Sequence, residues 1–200
     1  MWLFGVVSVV AGDSRGSVLD RDIVQRMSDG DAEALGALYD RHARSMYSLA
    51  LRIVRDRAAA EDVLQETFAQ IWRQAARFDV NRGSVVGWLL TVTRSRALDR
   101  LRRARVSLPT ADPELVAREL PDQAPGVEVE LLSAEQAARV REALAALGDD
   151  QRVPLELGYY EGLSQSEIAA KLGVPLGTIK TRMRQALRRL REALGANGHD

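Results

Sequence analysis

At 200 residues and 22.0 kDa, with 46% apolar residues, the chain is long enough for one ordinary domain or two small ones, and its composition excludes a disordered chain. It has no cysteine and two histidines, His42 and His199, which excludes disulfides, thiol catalysis, thiolate zinc and clustered-histidine metal sites, and leaves a Ser-His-Asp hydrolase only His42. Its 28 basic residues balance 28 acidic ones, and taken whole this zero net charge argues against a nucleic-acid partner.

The balance is a sum over unlike segments. Residues 1–20 carry one basic and two acidic side chains, 21–105 sixteen and eleven, 106–133 one and six, and 134–200 ten and nine. Within the last block, Lys171 to Leu194 holds seven basic residues against Glu192 alone. Two regions thus have the one-sided positive charge of a phosphate-binding surface, although arginine-rich helix faces can also be merely solvated.

In chain order, Trp2 to Gly12 is uncharged and mostly apolar, but no basic residue precedes it and eleven residues fall short of the roughly 20 a membrane span needs. Residues 1–18 are read as a disordered tail or a start-site extension, with the folded part beginning near Leu19. No other segment reads as transmembrane, so a cytoplasmic protein is expected.

From Arg21 to Arg105 apolar residues recur at spacings of three and four with no alternating strand pattern, which predicts an all-α bundle over 19–105. Helices are expected at about Arg21 to Ser28, Asp31 to Arg55, Ala58 to Phe78 and Ser84 to Arg105, broken at Asp29-Gly30 and Asn81-Arg82-Gly83. In the third, Val63, Leu64, Thr67, Phe68, Ile71, Trp72 and Ala75 form an apolar stripe, leaving Asp62, Gln65, Glu66, Ala69 and Arg73 opposite. That acidic face is ordinary surface, a docking face for a basic partner, or, with Glu61, an incomplete carboxylate metal site. The fourth helix turns Val85, Trp88, Leu89, Val92, Leu98 and Leu101 inward and is studded with Arg94, Arg96, Arg100, Arg102, Arg103 and Arg105. Arginine forks suit phosphates and guanine edges, and Trp88 is either core or a platform for an unpaired base.

Residues 106–133 hold four of the six prolines and a net acidic charge, a flexible linker with an end-to-end distance of roughly 30 Å as a coil and about 90 Å stretched. The second domain, 134–195, carries the most specific signal; 196–200 is a tail. Ser164 to Glu167 is a capping box, Gly173 closes the short helix, and Val174-Pro175 opens the next. There Ile179, Met183, Leu187, Leu190 and Leu194 form one stripe while Lys180, Arg184, Arg188 and Arg191 track another face, and Ala169 is small enough for a close crossing. This predicts a helix-turn-helix whose second helix enters the major groove; an αα-hairpin with a basic face is the plainer alternative.

These residues resemble the bacterial sigma-70 family, specifically the extracytoplasmic-function (ECF) sigma factors. The resemblance spans about residues 21–195 and rests on the stretches Ala60 to Phe68, Gly87 to Arg94 followed by Ala97 to Arg103, and Leu163 to Ala169 through Gly177 to Arg182. It implies that Asp62, Gln65 and Glu66 dock on a coiled coil of the largest RNA polymerase subunit. Asn81, Arg82, Trp88, Arg94, Arg96, Arg100 and Arg103 would recognise and melt the −10 element. Lys180, Thr181, Arg184 and Gln185 would read the −35 element, with Thr178, Arg182 and Arg188 on phosphates, while the linker lies in the polymerase's nucleic-acid channel. Ser95 stands where the family commonly has asparagine, which alters the detail of base capture. The implied partners are core RNA polymerase, promoter DNA and an anti-sigma factor, often membrane-bound, with no cofactor, metal, small-molecule substrate or catalytic residue. A stand-alone helix-turn-helix regulator is the competing reading, which would have no need of the Asp62-Gln65-Glu66 face; a carboxylate-metal hydrolase around Asp62 and Glu66 lacks further ligands.

Overall fold

The computed structural model describes residues 14–79, 83–107 and 134–195. Residues 80–82, with Asn81 and Arg82, lie outside the described residues, as do 1–13 of the expected tail 1–18, 108–133 of the expected linker 106–133, and the tail 196–200. Eight α-helices account for most of the described chain: α1 (Ser14–Ser28), α2 (Ala32–Val54), α3 (Arg57–Gln74), α4 (Val85–Ser107), α5 (Ala134–Ala145), α6 (Asp149–Tyr160), α7 (Gln165–Leu172) and α8 (Leu176–Gly195). The expected all-α architecture is what forms.

Local chemistry sets most of the boundaries. Asp31 caps α2 by accepting from the Glu33 and Ala34 amides, and Asp56 caps α3 through the Ala59 amide at 2.8 Å. Between them Arg55 turns the chain with φ 58°, the one non-glycine left-handed residue among those described. The third helix gives way at Ala75–Arg77 to a 3₁₀ turn, short of the expected Phe78. The first starts at Ser14, inside the stretch read as tail: once nucleated, a helix extends by a turn at little cost, and Val18 and Leu19 stay exposed.

The first domain wraps α1, α2 and α3 around α4. Ile23, Val24, Met27, Leu38, Met46, Phe68, Ile71, Val85 and Leu89 form one core cluster. On the other side of α4, Leu90, Ala97 and Leu98 join Leu49, Ala50, Ile53, Ala60 and Val63 in a second. Because α4 is packed on two sides, the width left for its arginines is narrower than its sequence suggests. The buried hydroxyls of Thr67 and Thr93 donate to the carbonyls four residues back, Val63 and Leu89, so neither is left unsatisfied.

Charge is buried where α1 meets α2. Asp20, 2% exposed, accepts from Arg41 Nε at 2.8 Å, and His42 Nε2 stands 3.2 Å from the same oxygen, although neither His42 nitrogen makes a hydrogen bond of good geometry. Burial pushes the Asp20 carboxyl up, but the contacts and charges of His42 and Arg41 outweigh it and hold the group below its ordinary value. His42 is itself a core residue.

The second domain has its own core of Ala143, Leu147, Leu155, Ile168, Ala169, Ile179, Met183, Ala186, Leu190 and Leu194. The capping box forms in full, with Ser164 Oγ taking the Glu167 amide and Glu167 Oε2 taking the Ser164 amide at 2.7 Å. Gly173 ends α7 at φ 64°. Ala169 joins this core, and the expected stripe of α8 holds with Ile179, Met183, Leu190 and Leu194 buried, Leu187 half-buried against them and Ala186 added beside them. Among the described residues no helix is long and apolar enough to cross a membrane.

Candidate nucleic-acid and polymerase interfaces

The face of α8 opposite its core stripe is the simplest surface. Lys180, Thr181, Arg184, Gln185 and Arg188 are exposed, and at about 100° per residue they fall within roughly 140° of the helix circumference, away from Ile179, Met183, Ala186 and Leu190. Hydrogen-bonding side chains at the exposed start of a recognition helix are what a groove reader needs. Thr178 and Arg182 are half-buried on one flank, where Arg182 pairs with Asp150 of α6 at 3.4 Å. Arg188 pairs with Glu192 at 3.6 Å in full solvent, a contact worth well under 1 kcal/mol and readily given up to a phosphate.

Periodicity gave no sign of Gln151. Its buried side chain reaches across from α6, donating to Gln185 Oε1 at 3.5 Å and accepting from Arg189 Nη1 at 3.0 Å. It thus ties the second helix of the domain to the one expected to read DNA. A buried polar residue fixed between two helices is the signal that could have been sought, but nothing local in the sequence marks it.

On the first domain, the expected acidic face of α3 and the basic strip of α4 turn out to be neighbours. Asp62, Gln65 and Glu66 are all exposed. Arg100 Nη2 donates to Asp62 Oδ2 at 3.0 Å, Arg96 Nη1 lies 3.6 Å from Glu66 Oε2, and Arg96 Nε donates to Gln70 at 2.6 Å. Arg103 is exposed, as is Arg102, which pairs with Asp99 at 3.4 Å. Arg94 departs most from the uniform exposed strip that the sequence suggests. It is half-buried because it faces the second domain, donating to the backbone carbonyls of Gly158 and Tyr159 at 2.8 and 2.9 Å.

Trp88 is half-buried against the first core cluster, its ring 4.9 Å from that of Phe78 and tilted by 32°. It is therefore part of the bundle wall just after the 80–82 segment. Among the described residues no three His, Cys, Asp or Glu side chains are grouped to hold a metal ion, and Asp62 and Glu66 face arginines instead.

Two helical domains, one carrying a helix-turn-helix with an exposed basic face and the other an acidic face beside a basic helix, have the shape and charge of a DNA-binding protein. The family model for sigma-70 region 2 matches residues 38–106 and that for sigma-70 region 4 matches residues 143–192. A Mycolicibacterium vanbaalenii protein, ECF RNA polymerase sigma factor SigK, is 35% identical over 173 residues, covering 86% of this chain and 88% of its own. Its namesake from Mycobacterium tuberculosis H37Rv is 36% identical over 181 residues, covering 86% and 91%. Among solved structures, Rhodobacter sphaeroides SigE in complex with the anti-sigma ChrR aligns over 90% of this chain and 99% of that one, at 30% identity and a TM-score of 0.47.

The chain belongs to the ECF RNA polymerase sigma factors of the sigma-70 family. Its function is accordingly to direct core RNA polymerase to promoters and to promote their opening for transcription initiation.

Proposed function

We propose the following division of labour within that function. Asp62, Gln65 and Glu66 dock on the largest polymerase subunit. Arg94, Arg96, Arg100 and Arg103, with Trp88 and the adjoining Asn81 and Arg82, recognise and melt the −10 element. Lys180, Thr181, Arg184 and Gln185 read the −35 element while Thr178, Arg182 and Arg188 hold phosphates. The observation that carries the reading is the shared exposed face of Lys180, Thr181, Arg184, Gln185 and Arg188 on α8. It has the charge of a phosphate-binding surface and the donor variety of a base reader.

In mechanistic terms the protein works by binding, with no catalytic residue, cofactor or metal of its own. Arginine forks would take up phosphate and unpaired bases, so that part of the cost of opening the duplex is met by contacts available only to the separated strand. The domains are taken as residues 19–105 and 134–195, joined by the acidic linker 106–133, whose sign suits a channel built for nucleic acid. A cytoplasmic location and restraint by an anti-sigma factor, often membrane-anchored, complete the reading; family membership supports both.

Run-off transcription with purified core polymerase on genomic fragments tests the whole. Promoter-dependent products are expected, and their absence would sink it. At the level of residues, Arg184→Ala or Lys180→Ala should cost about 1–3 kcal/mol on the preferred −35 sequence and relax base preference there. Competition binding against single-base variants of that element measures this. An equal loss on every sequence would reassign the residue to phosphate contact.

A further inference from the structure

We propose that Gln151 is a specificity-determining positioning residue: it turns the Gln185 amide so that its NH2 group, and not its oxygen, faces the major groove, which makes guanine the preferred base at the pair Gln185 meets. The inference rests on the reading of Gln185 as a contact to the −35 element.

The orientation follows from which atoms can donate. An arginine has donors and no acceptor, so the atom of Gln151 that meets Arg189 Nη1 at 3.0 Å has to be its oxygen. This fixes the Gln151 amide end for end and leaves its Nε2, a donor only, toward Gln185. The atom of Gln185 that meets Nε2 at 3.5 Å is therefore Oε1. Reversing the amide at 185 would set two donors against each other, and reversing it at 151 would do the same with Arg189. Burial sharpens the choice, because Gln151 is 6% exposed and an enclosed amide left without partners is costly. Its backbone is held as well, the Gln151 amide donating to the Gly148 carbonyl at 2.9 Å. The neighbouring Asp150 pairs with Arg182 at 3.4 Å, so the first turn of α6 holds positions 182, 185 and 189 of α8, spaced three and four apart along one flank. Gln185 is itself exposed, and with its oxygen turned toward α6 its two N–H donors are the part left for a ligand.

Base edges distinguish the two ends of an amide. An untethered glutamine pairs with adenine, its oxygen accepting from N6 and its nitrogen donating to N7, and that pairing needs the oxygen in the groove. Guanine presents two acceptors, N7 and O6, and suits an NH2 that faces outward; thymine offers the single acceptor O4, and cytosine only a donor. Gln151 thus converts a residue type that ordinarily selects adenine into one that selects guanine. A mere strut between α6 and α8 would add stability without favouring a base.

Holoenzyme assembled from the full-length protein and core polymerase is tested on a promoter fragment recovered by run-off transcription, with each base pair of the −35 element replaced in turn. Competition binding with Gln185→Ala locates the pair that Gln185 meets, as the one whose preference is lost. There the wild type should favour guanine over adenine by about tenfold, the size of one good pairing between an amide and a base. Gln151→Glu offers acceptors only: one oxygen keeps Arg189, the other takes Gln185 Nε2, and the preference should reverse toward adenine. Gln151→Leu removes the tether and should bring the two bases within about twofold of each other. The other pairs of the element should keep their preferences in both variants. Should thermal unfolding show that either buried substitution unfolds the domain, Arg189→Met at an exposed position decides, since without the arginine the Gln151 amide turns freely and the preference should narrow in the same way. A guanine preference unchanged in these variants, or a loss equal on every sequence, would overturn the role of Gln151 while leaving Gln185 as a reader. Adenine preferred by the wild type at that pair would overturn it too. If Gln185→Ala alters no preference, the reading of Gln185 itself fails, and the role of Gln151 falls with it.

Discussion

Asp62→Arg combined with Glu66→Arg is expected to weaken binding to core RNA polymerase by more than about a hundredfold while leaving the first domain folded. Charge pairs across a protein interface couple by about 1.5 kcal/mol or more, so two reversals opposite a basic partner cost at least about 3 kcal/mol. The folded state loses much less. Both carboxylates are about half exposed, and their pairs with Arg100 and Arg96 lie in solvent, where such contacts contribute under about 1 kcal/mol each. Fluorescence titration with core polymerase measures the first effect and thermal unfolding the second. A charge swap refines the outcome, since Asp62→Arg with Arg100→Asp restores an ion pair inside the domain but should not restore docking. Polymerase affinity unchanged by the double reversal would return Asp62 and Glu66 to ordinary surface.

Asp20→Ala should destabilise the first domain by about 3 kcal/mol, because removing one partner of a buried charged cluster strands the others. Asp20 is almost fully enclosed, beside Arg41 and His42. The sign of the pH dependence follows from its lowered carboxyl. The stabilisation is fully present above the unfolded-state value, about pH 4, and is lost as pH falls through the still lower folded value. Urea midpoints of wild type and variant should therefore differ most at neutral pH and converge in acid. A gap that stays constant down to pH 2 would show that Asp20 acts by packing rather than charge.

What could be read in the sequence was mostly what lies within four residues along the chain. The Ser164–Glu167 capping box and the glycine at 173 are such signals, and α7 starts and stops within a residue of where they place it. The apolar stripe of α3 and the exposed face of α8 likewise follow from periodicity. Contacts between distant residues left no such trace. Arg96 finds Gln70 across 26 positions, Arg189 finds Gln151 across 38, and Arg94 meets Tyr159 across 65. Each depends on how helices pack, and a polar residue awaiting a partner looks like any other surface residue until the partner arrives. That is why the arginines of α4 read as one uniform strip, although packing divides them among three different neighbours.

The pairing of Arg96 with Glu66 and Arg100 with Asp62 bears on how salt would affect DNA binding. Affinity for duplex DNA falls with salt because each protein cation that neutralises a phosphate releases a condensed counter-ion, with a slope of about −0.9 per phosphate. An arginine already held by a carboxylate on its own domain brings that much less positive potential to the exchange. The free protein should therefore show a shallower salt slope than its arginine count implies, and the slope should steepen by about one for each carboxylate of α3 neutralised, as in Asp62→Asn or Glu66→Gln.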